Sequence, residues 1–375
     1  MNKAKIDAVQ TVIVDLPLIR TQQFSRVGVN QQSSVIVRIR TDQGVEGIGE
    51  AVTPCGPWWS GDSVETIKLT IDKYLTPLLL GETPLEPGLI LEKLHNHVPN
   101  NSFAKAGLEI ALLDCAGKLL QTPIHAMLGG KLRSSLEVAW PLATGEVARD
   151  VAEAESMLES RRARAFKIKM GALPPDEDMA RAISIATKLE GTGAKIRVDP
   201  NEAWDEGTAN RALGPLADAG VELIEQPVPR WNIDAMARLA ARSRCVIMMD
   251  EGVQSTHDMI DVVKRSAAGL ISLKLMKSGG IRAARVMADI ANAAGIPAYV
   301  GTFLETSIGT AANMHLAASL AELPFGGEPI GPLLMAEDIC TVPADYHDYN
   351  LWLPEGPGLG IELDMERLKH FQRNH

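Results

Sequence analysis

Residues 165–170 read AFKIKM, an apolar run interrupted by two lysines one residue apart. On a strand, side chains alternate between faces, so Lys167 and Lys169 share one face and Phe166, Ile168 and Met170 the other. An edge strand leaves both ammonium groups in water, the ordinary place for lysine. A buried strand points two positive charges into one interior, which requires anionic partners or a functional reason. The rest of the chain decides between these readings.

Downstream, short apolar runs alternate with helical patterns. Strands are expected at 137–140, 165–169, 195–199, 223–226, 246–250, 270–274, 297–301 and 324–328. Between them lie amphipathic stretches such as ARDVAEAESMLESRR, DEGTANRALGPLADAG and GGIRAARVMADIANAAG, the last two closing on the glycine that commonly follows a helix. Eight such units imply parallel strands with crossover helices and an α/β fold of the closed (β/α)8 type, with an open doubly wound sheet as the alternative.

Nearly every strand finishes on a charge: Lys169, Asp199, Glu225, Asp250, Lys274 and Glu328. A barrel gathers these six in one ring at the C-terminal mouth, where active sites of this fold sit. Each carboxylate taken singly reads equally well as a helix cap or a surface acid. Together, Asp199, Glu225 and Asp250 form an all-oxygen set suited to Mg2+ or Mn2+. Lys169 stands one strand before this set and Lys274 one strand after it. That arrangement suits an enediolate stabilised by the metal, with lysine moving the α-proton. Lys167 is expected to position a substrate carboxylate. The metal and Lys167 are expected to lower the pKa of Lys169 toward neutrality for acid-base work.

The chain before the barrel differs in character. TVIVDLPL and SSVIVRIRTDQGVEGIGEA read as strands, the second a hairpin turning at Asp42-Gln43-Gly44. SVETIKLTIDKYLTPLLLG and SFAKAGLEIALLDCAGKLLQ read as helices, with Ser102 as N-cap of the second. The final GPGLGIELDMERLKHFQ follows the eighth unit and is expected to fold back on the N-terminal part.

The 375 residues carry 37 basic and 47 acidic side chains for a net charge of -10, which argues against a nucleic-acid surface and leaves a small molecule as partner. No apolar run approaches the roughly 20 residues of a membrane helix, and the first residues do not read as a signal peptide. A cytoplasmic protein is expected. Cys55, Cys115, Cys245 and Cys340 form no C-x-x-C and read as reduced thiols.

With K-x-K at Lys167 and Lys169, D-x-N at Asp199 and Asn201, LIEQP at Glu225, MMDE at Asp250, SLK at Lys274, GTFLETSIGT and GGEPIGPLL, the sequence resembles the enolase superfamily over essentially its whole length. Within it, the muconate lactonizing subgroup is most similar. IDAVQTVIVDLPLIR, GVEGIGEA, NSFAKAGLEIALLD and PGLGIELDMERL look like the muconate and chloromuconate cycloisomerases. The resemblance implies an α+β capping domain at 1–131, a barrel at 132–345 and a segment at 346–375 that returns to the cap. It implies reversible lactonisation of cis,cis-muconate in aromatic catabolism, with Asp199, Glu225 and Asp250 holding one Mg2+ or Mn2+ per subunit. Lys169 would deliver the proton, and Glu328 matches an acid assigned as proton donor. A homo-oligomer, octameric as in the family, is implied as well. Pro54, Trp58 and Trp59 in the loop TPCGPWWSGDS, with Asn201, Glu305 and Ile330, are the expected substrate contacts. Pro57, Trp59 and Ile330 look like the chloromuconate enzymes and Glu305 like the muconate enzymes. Pro200 and Gly252, where many relatives have serine at the latter, are departures near the ligands. The competing enzyme reading is racemisation of an N-acylated amino acid or epimerisation of a dipeptide, with Lys169 and Lys274 as opposed bases; a catalytically inactive binding barrel is the non-enzymatic one.

Overall fold

The computed structural model describes residues 4–25, 27–54 and 56–373. Three antiparallel strands open the chain: β1 (Ile6–Gln23), β2 (Gly28–Thr41) and β3 (Glu46–Thr53), paired in the order β1-β2-β3. The helix Ser102–Leu120 lies on β3. Gly47 and Gly49 allow this approach, because a Cβ on either would come within 2.2 Å of a helix carbonyl, Ala111 O or Gly107 O. The helix is buried on all sides from Phe103 to Gly117, in keeping with a sequence that is apolar around its circumference apart from Lys105, Glu109 and Asp114. Its N-cap is Asn101, in the left-handed region, and the expected cap Ser102 is its first helical residue.

Strand β4 (Ser135–Glu137) separates from β5 (Ala139–Leu142), so the run expected as one strand serves two sheets. Strand β5 is followed by β6 (Ala165–Lys169), β7 (Lys195–Asp199), β8 (Val221–Glu225), β9 (Val246–Met249), β10 (Leu270–Leu273) and β11 (Ala298–Val300), adjacent in that order and all parallel. The expected eighth strand is reduced to one residue. Gly327 bridges in parallel to Val138 on one side and to Val300 on the other, closing the ring. Its carbonyl accepts from Ala139 N at 2.8 Å and its N–H donates to Glu137 O at 3.0 Å. Gly326 has φ +67, and a Cβ there would sit 2.2 Å from Glu137 O. The backbones meet too closely for a regular strand with side chains.

Strand β4 pairs instead with β12 (Tyr346–His347) and β13 (Asn350–Trp352), in the order β12-β13-β4. Beyond them the chain crosses to the N-terminal sheet. Leu359 N donates to Asp114 Oδ1 at 2.8 Å, Gln372 bridges Val14, and the Arg373 guanidinium forks onto Asp15 at 2.6 and 2.7 Å. A second tie is buried. Glu50 on β3 accepts from Thr306 N at 3.0 Å and Gly309 N at 2.9 Å, capping the helix Ser307–Ser319 of the barrel. A carboxylate at a helix N-terminus satisfies amides that have no partner within the helix. Cys115, Cys245 and Cys340 are buried free thiols; Cys55 lies outside the described residues. No helix among the described residues is long and apolar enough to cross a membrane.

Candidate active site

Strand periodicity sends Lys167 and Lys169, with Arg197 and Asp199 beside them, to the inner face of the barrel. Neither lysine faces water: Lys167 is buried and Lys169 nearly so. Lys169 Nζ donates to Asp199 Oδ2 at 2.6 Å and to Asn201 Oδ1 at 3.4 Å. Asn201, held at φ +45, also donates its backbone N–H to Asp199 Oδ1 at 2.9 Å and its Nδ2 to Glu251 Oε1 at 3.1 Å. Lys167 lies deeper, on the ring of Tyr299 at 6.0 Å. Its Nζ donates to Glu225 Oε2 at 2.7 Å and to Glu328 Oε1, with Asp199 Oδ2 at 3.8 Å. Burial works against its charge, but Glu225, Glu328 and Asp199 outweigh that and raise its pKa well above the ordinary lysine value.

Asp250 closes β9 between two lysines. Oδ2 accepts from Lys274 Nζ at 2.5 Å, and Oδ1 from Lys277 Nζ at 2.6 Å. Burial alone would raise this carboxyl; Lys274 and Lys277 reverse the effect and hold it far below the usual carboxylate range. Glu225 behaves oppositely. Burial and the neighbouring Asp199 push it up to about 7. Glu251 is pushed up to about 8 by burial and by Asp250 and Asp199.

Among the described residues no three His, Cys, Asp or Glu side chains converge closely enough to enclose an ion; ammonium groups bond oxygens of Asp199, Glu225 and Asp250. The donor set nevertheless fits a hard cation. Glu225 Oε1 is buried with no hydrogen-bond partner, an oxygen left without the compensation that burial demands. Asp199, Glu225 and Asp250 are the residues that would hold the ion.

Above this cluster is a cavity of roughly 470 Å3, open solvent included, with Lys169, Lys274, Asn201 and Glu328 in its wall. The apolar wall comes from Phe24, Pro54, Trp59, Phe303, Leu304 and Ile330. Aromatic faces cover both lysines: Phe24 lies 5.5 Å from Lys169 Nζ, Phe303 4.9 Å and Trp59 5.5 Å from Lys274 Nζ.

The structure does not bring every expected residue to this cavity. Lys167 is not in its wall and braces the carboxylates beneath the floor. Trp58 is exposed and lines a neighbouring cavity, on the far side of Trp59. Glu305 is fully buried behind the wall, accepting from Phe303 N at 3.1 Å and from the Thr302 hydroxyl. It sets the course of residues 302–304 and does not touch the cavity. Two members of the cluster escaped the sequence reading. Lys277 sits three residues after Lys274 on the short helix Leu275–Ser278, and a second lysine one helical turn on was the available signal. Glu251 directly follows Asp250, and MMDE carried it in plain view.

The chain matches known proteins along its length. Residues 8–129 match the mandelate racemase / muconate lactonizing enzyme N-terminal domain, and residues 137–367 match the enolase C-terminal domain-like family. The chain is 62% identical over 362 residues to a chloromuconate cycloisomerase of Cupriavidus pinatubonensis, covering 96% of this chain and 97% of that protein. It is 44% identical to muconate cycloisomerase 1 of Pseudomonas putida over the full length of both. The solved muconate lactonizing enzyme from Pseudomonas fluorescens complexed with muconolactone superimposes with a TM-score of 0.97 at 43% identity, covering 99% of this chain and 100% of that one. A 2-chloromuconate cycloisomerase from Rhodococcus opacus gives 0.96 at 39% identity, with the same coverage. Matched along both of its domains and by full-length relatives, the chain belongs to the mandelate racemase / muconate lactonizing enzyme family of the enolase superfamily.

Proposed function

We propose that the chain is a divalent-metal-dependent cycloisomerase that lactonises cis,cis-muconate and its chlorinated analogues. One observation carries the reading: Lys169 and Lys274 enter a single apolar-walled cavity, each anchored to a different carboxylate of one cluster. Extensive identity to muconate and chloromuconate cycloisomerases supports it.

Enzymes of this superfamily use a divalent metal; Mg2+ or Mn2+ is proposed here, held by Asp199, Glu225 and Asp250. When bound it supplies positive charge to a substrate carboxylate. The cluster's own side chains count five carboxyl groups, Asp199, Glu225, Asp250, Glu251 and Glu328, against four lysines, 167, 169, 274 and 277. A divalent ion turns that balance positive, which suits a dianionic substrate.

In the reaction one substrate carboxylate oxygen forms a C–O bond to a ring-closing carbon, and the π electrons move to the carbon next to the other carboxylate. Lys169 Nζ then forms the new C–H bond with its proton and regains one from solvent. Asp199 and Asn201 hold that ammonium in place, and Phe24 screens it from water. Lys274 faces the same space and offsets the charge that develops on the substrate. Glu328 lines the cavity while bonded to Lys167, a position suited to relaying or stabilising charge. Pro54, Trp59, Phe303 and Ile330 shape the apolar side against the carbon chain.

The competing reading, a racemase with Lys169 and Lys274 as opposed bases, draws on the same two side chains. Incubation with Mn2+ and muconate separates them: loss of muconate absorbance with lactone formed supports the cycloisomerase. A cytoplasmic homo-oligomer, with a cap at 1–131, barrel at 132–345 and returning segment at 346–375, completes the proposal.

A further inference from the structure

Arg230 lies in the loop after β8 and has no part in the reaction described above, yet it joins three separate segments. Its Nε and Nη2 fork onto Glu202 at 2.9 and 2.7 Å, and its backbone N–H reaches Glu202 Oε1 at 2.6 Å. Nη2 also donates to Trp59 O at 3.2 Å, and the guanidinium carbon lies 5.0 Å from the centroid of the Trp59 ring. Glu202 is itself fixed, at φ +66, with its N–H bonded to Gln226 O at 2.9 Å.

Trp59 therefore belongs to the N-terminal domain's loop but is held from the barrel. Arg230 takes one side of it, while the ring meets Phe303 edge-on at 4.7 Å and sits 5.5 Å from Lys274 Nζ. Phe24, Pro54, Trp59 and Asn201 wall both the candidate active-site cavity and the neighbouring one. A displaced Trp59 would join the two spaces and expose Lys274 to solvent. Only a planar guanidinium can fork onto a carboxylate and present a flat face to an indole together.

We propose that Arg230 is a positioning residue, which through its Glu202 anchor seats Trp59 as the closed wall beside Lys274. What the closed space holds rests on the function proposed above; the seating does not. Two measurements test it separately. The first is chymotryptic cleavage after Trp59, located by mass spectrometry on the intact protein. The second is steady-state kinetics with muconate and Mn2+. In Arg230→Met, cleavage at this site should accelerate at least about fivefold and KM should rise about tenfold with kcat within about threefold, the signature of lost seating rather than lost chemistry. Arg230→Lys keeps the charge and should still behave like the Met variant. Glu202→Gln, which leaves Arg230 in place and weakens only its anchor, should move both readouts the same way by about twofold to threefold, and decides the matter if the Arg230 variants fail to fold. Unchanged cleavage in the folded variants overturns the proposal, whatever the kinetics. Faster cleavage with no muconate turnover in the parent upholds the seating and defeats the proposed reaction instead.

Discussion

Lys169 and Asp199 are register partners on neighbouring parallel strands, and their side chains meet with Nζ 2.6 Å from Oδ2. The pairing explains why AFKIKM is tolerated inside a barrel. Each buried ammonium in the run finds a carboxylate, Lys169 on the next strand and Lys167 on β8 and beyond. It also couples the proposed proton carrier, Lys169, to the first of the proposed metal ligands.

Asp250 is the carboxylate on which two lysines depend. Asp250→Asn should reduce Mn2+ affinity at least about tenfold by calorimetry and abolish muconate turnover. With Lys274 and Lys277 short of a partner, it should cost about 3 kcal/mol of stability while far-UV circular dichroism stays native. Undiminished Mn2+ binding would remove Asp250 from the ligand set.

Trp59 lines the candidate active-site cavity and Trp58 does not. Trp59→Tyr should change the ratio of kcat/KM for chlorinated over unsubstituted muconate by about threefold or more, and Trp58→Tyr should leave it unchanged. Equal ratios in both variants and the parent would place the selectivity elsewhere in the wall.

Glu109 carries a pH signature away from the site. Burial pushes this carboxyl from 4.5 up to about 7, and its Oε2 has no partner. An acid whose folded pKa is raised binds more protons folded than unfolded, so its ionisation penalises the folded state increasingly from about pH 4.5 to 7 and constantly above. Glu109→Gln removes that penalty. The melting temperature of the variant relative to the parent should rise across this window and level off beyond it, by an amount equivalent to at most about 3 kcal/mol. A difference independent of pH would show that Glu109 ionises normally.

Strands β6 and β7 were legible to the residue, because a buried parallel strand is a short apolar run between helices and each ended on a charge. The eighth strand was not. Its glycines brought backbones into contact, which a strand pattern cannot express, and one bridging residue closes the barrel. Lys167 and Lys169 were read correctly as sharing a face, but the two-residue step along the strand also separates them in depth, and only Lys169 reaches the cavity. Trp59, Glu50 and Arg230 act across domains. Their partners lie about 170 to 260 residues away in sequence, so no local pattern could pair them, although Trp59 itself was named as an expected contact. Glu305 was named from the likeness of FLETS to the muconate enzymes, and a sequence likeness does not show that the carboxyl is turned back onto Thr302 and Phe303, behind the cavity wall.

Lys169 is proposed to carry the proton in a lactonisation. Muconate turnover in D2O, with and without Lys169→Ala and alongside α-proton exchange on N-acylated amino acids of both hands, tests it most directly. One deuterium is expected at a single carbon of the muconolactone, with turnover falling by more than the ~10²–10⁴-fold typical of one acid-base group in Lys169→Ala. No lactone from the parent, with solvent exchange at the α-carbon of both enantiomers, would contradict it.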